Sequence, residues 1–182
     1  MTVTIKLQGI GDVERAFKAL EEEIGDKAAR SKVLIPAVRD AMRPVLAAAQ
    51  AKAPMDTGGL KLSLQLEARR PTKKDRRSKY VTETDTVIAA VTTASGKKLK
   101  QMSQGKGLKT ARRRLVKMGM NADQASQFTG IQSDARTIAQ EFGTAQHGAQ
   151  PYLRPALESL AQSTISTLSA KLAQHIEKFR KR

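Results

Sequence analysis

Apolar and polar side chains alternate between residues 60 and 69, and this stretch limits the possible folds more than any other. One side of an extended chain here would carry Leu60, Leu62, Leu64, Leu66 and Ala68, with polar residues between them. Five matches to a period of two predict a half-buried β-strand. Apolar residues recur at helical spacing before and after it, so the chain must combine helices with a sheet.

The helical stretches lie on both sides of this strand. They run from about Asp12 to Ile24, from about Asp26 to Lys52, and after Pro155 almost to the C terminus. A proline inside a helix removes a hydrogen bond, so we expect a break near Pro36 and a bend near Pro44. A turn then leads into the strand, formed by Pro54, Thr57, Gly58 and Gly59.

Further strands are expected at Val3–Leu7, at Thr86–Thr93, where β-branched residues are frequent, and at Thr137–Phe142. We therefore predict an α+β fold. A small, mainly antiparallel sheet packs with N-terminal helices and a long C-terminal helix, in a single domain over residues 1–182. A basic insertion, residues 95–133, lies between two of the strands.

Positive charge is concentrated in the middle of the chain. Lys and Arg total 33 against 17 Asp and Glu, and residues 69–118 hold 16 of the basic and 3 of the acidic side chains. The insertion carries Lys97, Lys98, Lys100, Lys106, Lys109, Arg112, Arg113, Arg114 and Lys117, with the lysines in a flexible lead-in to a short amphipathic helix. Such a segment predicts either salt-sensitive contact with phosphates or contact with an acidic protein surface.

Catalytic and metal-binding patterns are missing from the sequence. The chain has no cysteine, which excludes disulfides, thiolate zinc sites and cysteine nucleophiles. His147 has no second histidine nearby, so we interpret it as an exposed loop residue. The stretch G-K-G-L-K-T lacks the spacing of a phosphate-binding loop. We predict no enzymatic activity, no metal, no cofactor, no signal peptide and no membrane span.

The stretch E-F-G-T-A-Q-H-G-A-Q-P-Y-L-R-P-A-L-E, residues 141–158, is read as a strand-to-helix joint. The ring of Phe142 would anchor in the core, and Gly143 would allow the turn. Tyr152 and Leu153, after Pro151, would pin the entry to the last helix. Pro155 suits the first helical turn, and Glu158 suits its positive end.

Three motifs together resemble the tail-completion, or neck, protein family of long-tailed bacteriophages. They are A-P-M-D-T-G-G-L-K-L-S-L (residues 53–64), Q-E-F-G-T (140–144) and Q-P-Y-L-R-P-A-L-E (150–158). Tyr152 stands where the family usually has Phe. The likeness covers the order of elements from residue 10 to about 165, and the basic segment 95–133 departs from it.

The resemblance implies a structural virion protein without enzymatic activity. Such a protein completes the tail and joins it to the head connector as a ring of its own copies, for which six is the expected number. Its partners would be tail-terminator, tail-tube or head-connector proteins, with DNA in the channel lumen, and its location the virion after assembly in the host cytoplasm. The alternative is a free-standing, sequence-nonspecific nucleic-acid-binding protein that uses residues 69–118.

Overall fold

The computed structural model describes residues 11–54, 58–79, 81–83, 85–130 and 135–180. The strand predicted at Val3–Leu7 and Thr57 of the predicted turn lie outside these residues. The fold is α+β, as predicted: helices predominate, and the described residues form one two-stranded antiparallel sheet. None of the described helices is both long and apolar enough to cross a membrane.

Nine α-helices and two strands make up the described chain. In chain order they are α1 (Gly11–Ile24), α2 (Asp26–Ala29), α3 (Ile35–Lys52), α4 (Gly59–Ser63), β1 (Leu64–Arg69), β2 (Ile88–Thr93), α5 (Gly96–Met102), α6 (Gly105–Lys117), α7 (Ala122–Ser126), α8 (Ala135–Phe142) and α9 (Leu153–Arg180). A π-helical turn, Arg30–Leu34, joins α2 to α3, and a 3₁₀ turn, Asp75–Arg77, lies between the strands.

The chain divides into two compact units. The first contains the described residues within Met1–Pro44, Leu66–Ala90 and Leu160–Arg182, and the second those within Val45–Gln65 and Val91–Ser159. Each unit is therefore built from segments that are distant in sequence. The basic helices and the residues of the predicted joint all belong to the second unit.

Helical side chains form the core of the first unit. Its buried cluster consists of Leu20, Val33, Ala37, Leu172 and Ile176. Nearby, Nε2 of His175 lies 2.9 Å from Oδ2 of Asp40. This hydrogen bond lowers the pKa of Asp40 below its ordinary value, against the opposing effect of burial.

The break predicted near Pro36 is wrong, because the helical path continues through the π turn Arg30–Leu34 into α3. Proline lacks the backbone N–H and crowds the carbonyl four residues earlier, and a wider turn at this place relieves that crowding. Pro44 lies inside helix α3, as predicted.

The strand predicted from Leu60 begins only at Leu64, because residues 59–63 form helix α4. In a strand, Leu60 and Leu62 would face the same side, whereas in a helical turn they point apart. Leu60 accordingly packs with one apolar cluster of the second unit and Leu62 with another. The pairing of the two strands begins directly after α4, where the Ala94 N–H donates to the Ser63 carbonyl oxygen at 2.7 Å.

The strand predicted at Thr137–Phe142 is also wrong, since these residues belong to helix α8. The basic segment therefore follows β2 and leads into a helix rather than into a third strand. Along α8 the usual burial pattern is inverted: Glu141 is 3% exposed, while Ile138 and Phe142 are 66% and 67% exposed. Helical periodicity of apolar residues could not reveal a helix whose buried side chain is a carboxylate.

Gly58, in the predicted turn, has a left-handed backbone with φ of 72° and directly precedes α4. A Cβ atom there would overlap Cδ2 of Leu115 and lie 2.9 Å from Cε of Met120. We expect Gly58→Ala to lower the free energy of unfolding by roughly 2 kcal/mol, from backbone strain and the displaced side chains. Urea unfolding of this variant beside Gly148→Ala, where a Cβ meets open space, measures the difference. Equal stabilities would contradict it.

Candidate functional site

Two ordered helices, α5 and α6, carry the nine basic residues of the predicted segment. Three lysines at positions 97, 98 and 100 lie on α5, and the other six basic residues lie on α6. The prediction of a flexible lead-in is therefore wrong for the lysines. The predicted amphipathic helix is confirmed: Ala111 and Leu115 of α6 are buried, and Leu108 and Met118 pack against their cluster.

A separate apolar cluster holds the basic helices in place. It contains Leu62, Ala111, Leu115, Met120, Ala125 and Phe128, from α4, α6, α7 and the segments around them. A helix with six basic residues gains little from its own surface, so this cluster is what stabilises it. The positive charges are thus displayed from a packed scaffold.

Two of the nine basic side chains also make internal hydrogen bonds. Arg112, which is half-buried, donates from Nε to the Phe128 carbonyl oxygen at 3.0 Å. Lys98 donates from Nζ to Oε1 of Gln65 at 2.7 Å. Both acceptors are neutral, so neither contact cancels the positive charge. Arg112 therefore serves the scaffold, while Arg113 and Arg114 are exposed.

On α6 the exposed cations fall into two rows. Lys106 and Arg114, eight residues apart, form the first, and Lys109, Arg113 and Lys117, at intervals of four, form the second. The first row borders an open groove of about 300 Å³ between α5 and α6. The second row does not line this groove.

The groove combines an apolar floor with a basic rim. Leu62, Met102 and Ala111 lie at the floor, where Met102 is half-buried and the other two are almost fully buried, and Lys98, Lys106 and Arg114 stand around it. A Cβ atom on Gly107 would overlap the carbonyl oxygen of Gln101, so the start of α6 packs directly on the end of α5. The two walls are held at a fixed separation by that packing.

The basic loop between β1 and β2 is different, because Arg69 at its start and Arg76 within it donate internal hydrogen bonds. Arg69 donates from Nη1 and Nη2 to the two carboxylate oxygens of Asp75 at 2.5 and 3.0 Å. These bonds, with those from Thr72, lower the pKa of Asp75 well below its usual range. Arg76 donates to the carbonyl oxygens of Thr82 and Glu83 at 2.8 and 2.7 Å. The described residues of this segment form a hydrogen-bonded loop.

Glu141 organises the predicted joint, although the sequence analysis gave it no role there. Its Oε2 accepts hydrogen bonds from the backbone N–H of Tyr152 and Leu153 at 2.9 and 3.0 Å, and its Oε1 accepts one from the N–H of Arg154 at 3.1 Å. These N–H groups lie at the start of α9, where no helical carbonyl can accept from them. The carboxylate therefore caps the helix and meets its positive end.

Arg154 completes the joint. Its guanidinium donates to Oε1 of Glu141 at 3.0 Å and to the Glu141 carbonyl oxygen at 2.9 Å. Burial of the Glu141 carboxylate raises its pKa, but the hydrogen bonds from Leu153, Tyr152 and Arg154 together outweigh burial and lower it. The side chain is thus held ionised at neutral pH.

The predicted joint residues have mixed outcomes. Tyr152 is fully buried and Gly143 takes a turn conformation with φ of 79°, both as expected. Leu153 is half-buried and Pro155 lies in the first turn of α9, while Pro151 is exposed. The prediction for Phe142 is wrong: its ring lies outside the core, 5.0 Å from the Arg154 guanidinium. The segment predicted to join a strand to a helix therefore joins two helices, α8 and α9.

His147 is an exposed loop residue, as predicted. Its backbone N–H donates to Oγ1 of Thr144 at 3.1 Å, and the Thr144 N–H donates to the His147 carbonyl oxygen at 2.8 Å. The Gln150 N–H reaches back to the Gln140 carbonyl oxygen at 2.8 Å. Backbone contacts, and not the imidazole, shape the loop.

The three sequence motifs meet within the second unit. Ala53 and Leu64 of the first motif share a buried cluster with Tyr152 and Ala156 of the third, together with Ala49. Glu141 of the second motif caps the helix that the third motif begins. Comparison of the chain with protein-family models, with curated proteins and with solved structures finds no match.

Proposed function

We propose that the protein is a structural component of a long-tailed phage particle that completes the tail and joins it to the head connector. The observation that carries the proposal is the meeting of the three motifs in one cluster and one helix cap. Motif residues with structural roles of this kind are expected in an assembly subunit. An enzyme would instead use its characteristic motifs to bring reactive side chains together.

In this proposal the subunit forms a ring with copies of itself, six being the number that the resemblance implies. Nine basic residues lie between positions 95 and 122 without one acidic residue. They would face DNA in the channel lumen or an acidic surface of a neighbouring neck or tail protein. Because the basic helices are held by their own core, they can present this charge before assembly.

A phage that lacks the gene tests the proposal. We expect full heads and tails that remain separate, because the subunit that completes and joins the tail is missing, and electron microscopy of lysates counts both. Supplying the protein in trans should restore joined particles, and His147→Ala should restore them equally well, since the imidazole is exposed. Joined particles in normal number without the gene would contradict the proposal.

The second candidate, a free-standing nucleic-acid-binding protein, is favoured only by the concentration of charge. It predicts that the purified chain binds duplex DNA with an affinity that falls steeply as salt rises. Sequence-independent binding of this kind in the isolated protein, with no effect of gene loss on head–tail joining, would support it over the structural role.

A further inference from the structure

We propose that the groove between α5 and α6 binds an acidic segment of a partner protein that inserts a large apolar side chain. Carboxylates of the segment would contact Lys98, Lys106 and Arg114, and the apolar side chain would cover the floor. This inference rests on the proposed function only in naming neighbouring particle proteins as the place to look for the partner. The chemistry of the groove stands by itself.

The three cations of the rim have no acidic partner among the described residues. No described acidic side chain forms an ion pair with any of the three rim cations. The local sequence offers none either, since residues 95–122 contain no Asp or Glu. Three like charges around one groove repel each other, and a partner with negative charge relieves that repulsion.

The apolar floor favours a protein segment with carboxylates over a nucleic acid with phosphates. Phosphate groups would pair with the cations of the rim but leave the accessible lining of the groove, which is mainly apolar and includes half-buried Met102, facing water or a polar backbone. Among the described residues, no aromatic side chain lines the groove, so these offer bases nothing to stack on. A segment with both carboxylates and an aliphatic or aromatic side chain satisfies rim and floor together, as in recognition of amphipathic helices by grooves.

The groove is also formed in advance. The close approach of Gly107 to the Gln101 carbonyl fixes α6 against α5, and Leu115 anchors α6 in the cluster below. A preformed groove loses little conformational entropy when a segment binds. The partner segment, and not the basic helices, therefore bears most of the ordering cost.

Two synthetic peptides test the inference on the purified full chain. One has about twelve residues, alternating glutamate pairs with leucine, and the other replaces each leucine with serine. Fluorescence anisotropy at about 50 mM salt should give the leucine peptide roughly tenfold tighter binding, because only it can cover the floor. Equal affinity of the two peptides would overturn the inference.

A matched pair of variants locates the binding. Lys106→Glu with Arg114→Glu changes the row that borders the groove, and should weaken leucine-peptide binding by about tenfold or more. Lys109→Glu with Arg113→Glu makes the same change of charge on the other row, and should weaken it by less than about threefold. Equal losses would show general attraction without a site, and would overturn the inference.

Two further measurements keep the test independent of folding and of nucleic acid. A photoreactive group at a leucine position should cross-link to α5 or α6 of the unaltered protein; cross-links elsewhere would refute the site. A duplex DNA probe of about 20 base pairs should bind more weakly than the leucine peptide and respond equally to both double variants. Tighter DNA binding that depends on Lys106 and Arg114 would make the groove a phosphate site instead.

The peptide experiment tests the groove and the phage experiment tests the proposed function, so either proposal can be overturned without the other. Loss of head–tail joining with no peptide binding would keep the proposed function and remove the groove from it. Peptide binding at the groove in a protein that is dispensable for joining would overturn the function and keep the site.

Discussion

Glu141→Ala is expected to lower the free energy of unfolding by roughly 2 to 3 kcal/mol, among the largest effects of any single substitution in this chain. The carboxylate is 3% exposed and accepts three backbone hydrogen bonds at the start of α9. Alanine would leave these N–H groups without their acceptor, and the Tyr152 N–H lies in a buried setting. Urea unfolding followed by circular dichroism measures the loss.

Glu158→Ala is the matched control for this experiment. Glu158 is an exposed glutamate near the start of the same helix. Its removal changes the charge equally but removes no capping hydrogen bond among those described, so the expected cost is below about 0.5 kcal/mol. If both variants lost the same stability, the helix start would depend on general charge, and the capping role of Glu141 would be wrong.

Acidification should reproduce part of the Glu141 effect. Its pKa is below the ordinary value of 4.5 in the folded protein, so the unfolded chain binds the proton more readily. The stability from ionised Glu141 is therefore fully present above its unfolded pKa and is lost as pH falls through the folded one. Unfolding of Glu141→Gln and the unaltered protein should differ less at about pH 3 than at about pH 7.

Leu115→Ala should have an effect of similar or greater size, about 3 to 4 kcal/mol. Leu115 is fully buried at the centre of the cluster that holds α6 against α4 and α7. Removing its side chain leaves a cavity in the cluster that supports this helix. Val116→Ala, at the neighbouring position that is 45% exposed, should cost less than about 1 kcal/mol. Similar losses would mean that the cluster does not support α6.

Leu115 and Gly58 should also be coupled. The Cδ2 atom that a Cβ at Gly58 would overlap is absent in Leu115→Ala. The double variant should therefore be less destabilised than the sum of the two single variants, while the left-handed backbone strain remains. Strict additivity would mean that the effect of Gly58→Ala does not come from the contact with Leu115.

Sequence periodicity predicted the elements whose buried face is apolar. The helices α1, α3, α6 and α9 and the strand β1 were found in this way, whereas β2 was predicted from its β-branched residues. The segments α4 and α8 were read as strands for two different reasons. The two leucines of α4 contact different clusters but are two residues apart, which imitates the alternation of a strand. On α8, Glu141 is buried while Ile138 and Phe142 are exposed.

Prediction of the candidate site from sequence was limited in the same way, to features that depend on local residues. The basic residues and the turn at Gly143 could be read from composition and local spacing. The pairing of Glu141 with the start of α9 could not, because a local cap lies within the first helical turn and this one lies eleven residues before Tyr152. The groove likewise depends on which face of α6 meets α5, and that is settled by packing around Gly107.

The cap on α9 has a practical consequence for locating the subunit in an assembled particle. Glu141 and Arg154 contact each other from either side of residues 144–150, so no residue of this loop makes any of the hydrogen bonds of the cap. A short affinity label inserted beside His147 would extend into solvent and leave every contact of the cap in place. The loop thus offers a position for a visible tag that costs the protein little stability.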